Sequence, residues 1–251
     1  MNGRNIVADW FTGLCFFERN RGKIMNGKLI CIEGLDGSGK ATQTELLCGS
    51  LVRNGVSLRR VSFPDYEEPS SVLVKMYLGG GFGTDPNQVN AYAASSFYAV
   101  DRYASYQRHW RGDYEQGKLI VADRYTTSNM VFQLSKLPKS EWDGFIAWLE
   151  DFEYGKLSIP KPDLTIYLEM PTAVSQRLLS NRYHGDASKK DIHESNTDYL
   201  TQCRESAAYA AQRLNWKIIH CAKGENPRTV EEIQSDIMKK IAEELPLYVS
   251  I

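Results

Sequence analysis

An α/β chain built on a parallel sheet with helices on both faces is what the sequence predicts, from three observations. Short continuous apolar runs recur along it, stretches with helical spacing separate them, and charged or glycine-rich residues follow several of the runs. Strands buried on both faces are apolar throughout, and parallel neighbours need a helical crossover, so this alternation implies the layered arrangement. Ligands in such sheets bind beyond the carboxyl ends of the strands, which makes the residues after each run the ones to read for chemistry.

The first run, Lys28-Leu-Ile-Cys-Ile-Glu33, ends at a glycine, and Thr42 to Asn54 then shows helical spacing closed by Gly55. Val56 to Phe63 reads as the second strand, stopped by Pro64. Pro69 begins a short helix that runs into a connection at Gly79-Gly80-Gly81-Phe82-Gly83. A long helical stretch from Pro86 to Gln116 precedes the strand Lys118 to Ala122, which ends at Asp123. Leu164 to Leu168 and Trp216 to His220 complete the strands, followed by helical sequence at Thr172 to Ser180 and Val230 to Glu244. No repeat or low-complexity linker divides the body, so it reads as one domain over residues 25–251, with a polar insert at about 181–196.

Composition excludes several classes of function. The 251 residues carry 30 basic and 31 acidic side chains, so no global positive field favours nucleic acid. With 42% hydrophobic and 24% charged residues, and no apolar run near the roughly 20 residues that span a bilayer, a membrane-embedded body is not expected. Five scattered cysteines without a C-x-x-C pair read as reduced thiols, and the chain reads as cytoplasmic. Residues 1–24 precede a second methionine, Met25, and read as an extension the fold does not need. Their apolar patch from Trp10 to Phe17 is interrupted, and no cleavage pattern of a secretory signal follows it.

The loop after the first strand reads Gly34-Leu35-Asp36-Gly37-Ser38-Gly39-Lys40-Ala41-Thr42, which matches G-x-x-x-x-G-K with alanine in place of the usual Ser or Thr. Glycines between a buried strand and a helix let successive backbone N–H groups turn inward, and the helix N-terminus attracts anions. The expected fold is therefore of the P-loop NTPase type, with ATP as phosphoryl donor on residues 34–42. Lys40 is the catalytic candidate, a point charge able to stabilise the transferring group. Without a hydroxyl at Ala41, Mg²⁺ must rely on phosphate oxygens, water and a carboxylate, Asp36 being the nearest. No N-K-x-D segment for reading guanine occurs. The third strand leads instead into Asp123-Arg124-Tyr125, where an arginine can grip a second phosphate. An acceptor that is itself a phosphate monoester is already ionised near neutral pH and needs positioning more than a general base.

Taken together, Glu33 to Lys40, Phe63-Pro64, Asp101-Arg102 and Asp123-Arg124-Tyr125 resemble the thymidylate kinase family in order and approximate spacing, from Lys28 to about Glu244. The resemblance implies a nucleoside monophosphate kinase-like enzyme, a homodimer, moving the γ-phosphoryl group of Mg-ATP to dTMP to give dTDP. It also implies that Tyr98 stacks on thymine and Arg102, one turn later, hydrogen-bonds the base. On the residues alone, Tyr98 reads as helix packing and Arg102 as a surface ion pair. By the same resemblance Arg124 and Tyr66 hold the acceptor phosphate near Phe63, Asn129 and Gln133 lie by the base, and Phe132 lies under the deoxyribose. Asp36 touches the sugar hydroxyl or the metal shell, and Asp123 orients Arg124 and the metal's waters. The polar insert resembles a lid that closes over ATP. Gly37 stands where some members carry an arginine, so a basic lid residue must supply that charge, Arg182 first, then Lys189 or Lys190. Glu194 approaches the metal or the sugar, and His193 stands where relatives often have tyrosine. Asp65 likewise departs from an arginine common after Phe63-Pro64. Two alternatives remain: a kinase for another nucleoside monophosphate such as dUMP, and a nucleotide-binding protein with little catalysis, suggested by Ala41 and the altered lid.

Overall fold

The computed structural model describes residues 26–182, 192–193 and 196–248. Five strands form one parallel sheet: β1 (Leu29–Glu33), β2 (Leu58–Ser62), β3 (Leu119–Asp123), β4 (Leu164–Glu169) and β5 (Lys217–His220). Their order across the sheet is β2-β3-β1-β4-β5, so β1 sits at the centre with all five residues buried. All five strands fall where the apolar runs predict them.

Burial on two faces explains why the runs of β1, β3 and β4 are continuous rather than alternating, while the edge strands β2 and β5 keep exposed polar residues. On one face Ile30, Ile32, Val121 and Ile166 pack with Leu47 and Leu51 of α1 (Lys40–Arg53) and with Ile233, Ile237 and Ile241 of the last helix, Val230–Glu244. On the other, Leu29, Cys31 and Ile120 meet Trp110 and Tyr125. A third cluster joins α5 (Thr127–Phe132), α6 (Trp142–Glu150) and α8 (Thr197–Arg213) through Val131, Phe145, Leu149, Cys203 and Ala207. The remaining helices are α2 (Val72–Leu78), α3 (Ala91–Ser105), α4 (Arg111–Glu115), α7 (Thr172–Arg182) and the last, α9. Cys31, Cys48, Cys203 and Cys221 are free thiols. No helix among the described residues is long and apolar enough to cross a membrane.

Three differences from the sequence reading matter for the site. The expected helix over Pro86 to Gln116 begins only at Ala91, where the Asn90 side chain accepts the Ala93 N–H at 2.8 Å, and a π turn at Tyr106–Trp110 separates α3 from α4. A second π turn, Asp151–Lys156, continues α6, and neither α6 nor α8 is among the helices that the sequence pattern marks. π turns insert an extra residue and so redirect side chains, and here Glu153 is aimed inward with no exposed surface. Most of the polar insert, including Lys189, Lys190 and Glu194, lies outside the described residues. Arg182 closes α7, but its side chain is outside the described set.

The phosphate loop is pinned against α7. Gly37 has φ +79°, and a Cβ there would stand 2.6 Å from the Ser175 carbonyl oxygen and 3.1 Å from Leu179 Cγ. Both backbone conformation and packing therefore demand glycine. Gly37→Ala is expected to destabilise the fold by roughly 1–3 kcal/mol, measured as a lowered urea midpoint at unchanged m-value.

Candidate functional site

Residues 34–39 connect the central strand to α1, and Gly39, left-handed at φ 88° and ψ 11°, caps the helix without a side-chain bond. The first turn of a helix leaves amides without intrahelical acceptors, the physical basis for holding a phosphate there. Helix α1 begins at Lys40, two residues earlier than the sequence pattern marks. Lys40 is buried, donates to the Leu35 carbonyl oxygen at 3.0 Å and lies 3.8 Å from Asp36 Oδ1. Burial lowers its pKa, with the Arg124 cation adding to the effect and Asp36, Asp123 and Glu33 opposing it. The buried hydroxyls of Ser38 and Thr44 have no hydrogen-bond partner among the described residues, whereas Ala41 and Thr42 are exposed.

Beside the loop opens a cleft of about 520 Å³. Its lining includes all ten residues expected at the acceptor site: Asp36, Phe63, Tyr66, Tyr98, Arg102, Arg124, Asn129, Phe132, Gln133 and His193, together with Pro64, Leu78, Tyr125 and Ser128. The register pairing Ile32 with Asp123 sets the end of β1 beside the end of β3, so Arg124 follows directly at the shared edge. Its backbone is left-handed at φ 65°, with the amide donating to the Ile32 carbonyl oxygen at 3.1 Å.

From there the Arg124 guanidinium reaches Asp36 Oδ1 at 2.5 Å, the Gly34 carbonyl oxygen at 3.2 Å and Glu33 Oε1 at 3.4 Å, and lies 5.1 Å from the centre of the Phe132 ring. Asp123 is not among these partners and acts on Arg124 only through space. The expectation that Asp123 orients Arg124 is thus corrected: Glu33 and Asp36 do so. Glu33 is fully buried and also accepts from the Gly34 amide and the hydroxyls of Thr127 and Ser128 at 2.7 to 2.9 Å. Burial works against the charge on Asp36, yet Arg124 and Lys40 outweigh it and hold its pKa down to about 2.

Arg102 is no surface ion pair. It is 1% exposed, and its Nε and Nη2 fork onto Glu153 at 2.6 and 2.5 Å, leaving Nη1 at 3.5 Å from the Tyr125 carbonyl oxygen. Asp65, found in place of an arginine, has its amide on Asp101 at 2.8 Å and its carboxylate on Ser105 at 3.0 Å, which fastens the loop leading to half-exposed Tyr66.

His193, the described end of the polar insert, is buried rather than solvated. It stacks on Phe132 with ring centres 5.4 Å apart at 15°, and its Nε2 meets the Tyr77 hydroxyl at 2.9 Å, which also accepts from Lys136 at 2.8 Å. Glu33, Glu153, Tyr77 and Lys136, like Leu78 and Ser128 of the cleft lining, are residues to which the sequence gives no role. Only Glu33 carried a signal there, as a carboxylate ending an otherwise apolar strand.

A family model described as thymidylate kinase matches residues 32–237. The chain belongs to the thymidylate kinase family. A thymidylate kinase of Mycobacterium tuberculosis is 31% identical over 188 residues, covering 72% of this chain and 84% of the relative. One from Danio rerio is 27% identical over 228 residues, covering 88% and 95%. The fold agrees with that of a solved thymidylate kinase from Candida albicans, at TM-score 0.61 and 22% identity, covering 87% of this chain and 92% of that one. The thymidylate kinase match lies within the span over which the sequence motifs indicated the resemblance.

Burial, with the Lys136 cation, pushes the His193 pKa down to about 3, and burial brings Lys136 itself down to about 7. The unfolded chain therefore binds a proton at His193 before the folded chain does. Stability contributed by neutral His193 is present above about pH 6.5 and is lost as pH falls toward 3. Against His193→Phe, the wild type should lose up to about 1.4 kcal/mol more per pH unit between pH 6 and 4, with a constant difference above pH 7, in urea titrations.

Proposed function

We infer that this enzyme transfers the γ-phosphoryl group of ATP to dTMP, giving ADP and dTDP in the supply of dTTP. The observation that carries the reading is the junction of phosphate loop and cleft: Lys40, Asp36 and Arg124 form one charged edge between a donor loop and a cleft lined by Tyr98, Arg102, Asn129 and Phe132. In this reading Arg124, its fork aimed by Asp36 and Glu33, grips the acceptor phosphate, and Tyr66 closes on it from the loop beside Phe63. Phe132 would support the deoxyribose, Tyr98 would stack on the base, and Asn129, Gln133 and Arg102 would read its edge. An apolar ring close to C2′ leaves a ribose hydroxyl unpaired and so disfavours it. Lys40 would leave the Leu35 carbonyl for the phosphates and stabilise the charge that shifts during transfer. The acceptor's second phosphate ionisation, near pH 6, removes the need for a strong base.

Among the described residues no group of three or more His, Cys, Asp or Glu converges as a metal cage. Mg²⁺ is commonly held by substrate phosphates, water and one or two carboxylates. Asp123 and Asp36, both within electrostatic reach of Lys40, are the carboxylates available, with Glu194 as the third candidate. When bound, the ion would neutralise phosphate charge. Arg182 would add the positive charge that Gly37 does not supply.

The test is ADP release from Mg-ATP with dTMP, dUMP, dCMP, dGMP and UMP offered separately, using the full chain and a chain beginning at Met25. We expect strong turnover with dTMP, less with dUMP and little with UMP, equal for both chains, and Lys40→Ala should lower kcat far more than dTMP affinity. ATP binding without turnover on any acceptor would make the protein a nucleotide-binding one instead.

Homodimerisation is proposed from the family resemblance, with the exposed apolar side chains Val72, Leu73 and Met76 of α2 and Val100 and Tyr103 of α3 as the face it would use. Met76→Asp should then shift the sedimenting species from dimer to monomer. A monomeric wild type would refute the proposal.

A further inference from the structure

Four donors converge on Glu153, a residue that no motif singles out. Its carboxylate accepts from Arg102 Nε and Nη2 at 2.6 and 2.5 Å, from the Thr126 hydroxyl at 2.9 Å and from Asn129 Nδ2 at 3.2 Å. Two of these partners, Arg102 and Asn129, line the acceptor cleft, while Glu153 itself does not. Asn129 Nδ2 donates also to the Ser95 carbonyl oxygen at 3.4 Å. Both neighbours of that amide group are pure acceptors, so the network admits one orientation: NH₂ toward Glu153 and Ser95, Oδ1 turned away from them. One turn later Gln133 also lines the cleft, and its buried Oε1 has no partner among the described residues.

Arg102 is constrained in the same way. With Nε and Nη2 committed to Glu153, Nη1 is its least engaged nitrogen, at 3.5 Å from the Tyr125 carbonyl oxygen. Arg102 and Asn129 both line the cleft, and the atoms that the Glu153 network leaves over are a donor, Arg102 Nη1, and an acceptor, Asn129 Oδ1, which would together face the base. A 4-keto pyrimidine carries the complement, an acceptor at O4 beside a donor at N3–H. Cytosine reverses both, with an amino donor at C4 and an acceptor at N3, and would set donor against donor and acceptor against acceptor.

We propose that Glu153 is a positioning residue that sets this donor and acceptor pattern, and through it the selectivity for a 4-keto over a 4-amino pyrimidine monophosphate. The proposal rests on the reading of the cleft as the dTMP site. It adds a cause: the discrimination is set by a side chain behind the wall, which touches no substrate. A carboxylate is required there because it only accepts. A carboxamide donates through one of its two arms, and Asn129 then gains by turning over to present Nδ2 to the base.

The experiment measures kcat and KM for dTMP, dUMP and dCMP with full-length wild type, Glu153→Gln and Glu153→Asp. In Glu153→Gln the ratio of kcat/KM for dTMP over dCMP should fall roughly tenfold or more, mainly through a higher KM for dTMP, with kcat kept within about threefold. dUMP should follow dTMP, since it shares O4 and N3–H. A parallel loss for all three acceptors, at an unchanged ratio, would make Glu153 a purely structural residue and overturn the proposal. Where Glu153→Gln does not fold, Glu153→Asp decides. Its charge still offsets Arg102, but the shorter arm cannot span both the guanidinium fork and the Asn129 amide, so the same fall in ratio is expected in folded protein. A wild-type ratio in folded Glu153→Asp overturns the proposal. Failure of wild type to use dTMP at all would instead sink the reading of the cleft, and the proposal with it.

Discussion

The Arg124 guanidinium, held between Glu33 and Asp36, is the interaction on which the site's geometry turns. An arginine at that depth is tolerated only when its charge is met, and both carboxylates come from the segment that begins the phosphate loop. Parallel pairing of β1 with β3 brings them together, because the register that sets Ile32 opposite Asp123 leaves the next residue of each chain at one edge. The left-handed backbone at Arg124 has a local cost, and it persists because the amide bond to Ile32 and the ion pairs over-determine it. Asp36 thereby belongs at once to the loop that would hold the donor and to the wall that would hold the acceptor. A shift of either is felt by the other, which is what in-line transfer between two bound phosphates demands.

A second arginine repeats the device deeper in the cleft. Burial opposes the charge on Arg102, the carboxylate of Glu153 overcomes that penalty, and the net result is a raised pKa. The π turn after α6 is what makes this possible, since it brings an acidic residue to the interior side of a helical segment whose neighbours Asp151 and Lys156 stay exposed. Between the two arginines, Phe132 takes the Arg124 guanidinium nearby and His193 on its ring. The neutral imidazole suits that position: burial first, then the Lys136 and Arg124 cations, lower its pKa against the pull of Asp36. Tyr77 relays a hydrogen bond from Lys136 to His193 and so ties the end of the polar insert to the body.

What the sequence made legible follows the range of the interactions involved. The five strands and the phosphate loop are written in contiguous residues, apolar runs closed by glycine or charge, and they were found in place. Helix α8 was passed over because its buried face is Cys203, Ala207, Ala210 and Ala211, small residues that give weak periodicity among polar neighbours. Helix α6 escaped for the opposite reason, with Trp142, Phe145, Ile146, Trp148 and Leu149 spread around too much of its circumference to mark one face. The residues expected from the family motifs line one cleft, whereas their buried partners, Glu33 apart, have no mark in the sequence. Glu153 lies 51 positions from Arg102, and nothing local distinguishes it from the acids of any solvated helix. Asp123 drew attention as the carboxylate adjacent to Arg124 in sequence, yet adjacent side chains on a strand end diverge, and the sheet supplied Glu33 from across the pairing instead.

The local charge balance explains why the departures at Gly37 and Ala41 matter together. Lys40 and Arg124 are two cations facing three carboxylates, Glu33, Asp36 and Asp123. Before any phosphate enters, that edge has no surplus of positive charge. Two phosphorylated substrates would each add negative charge to it, and the loop cannot answer by gaining an arginine at Gly37, where φ is positive and a Cβ would strike the Ser175 carbonyl. Nor does position 41 offer a hydroxyl to hold a cation. Any further positive charge for those phosphates has to come from outside the phosphate loop. Arg182, proposed above for that charge, is the last residue of α7, the same helix whose Ser175 and Leu179 keep Gly37 a glycine. The helix that bars an arginine from the loop at Gly37 is thus the one that ends in the arginine proposed to replace it.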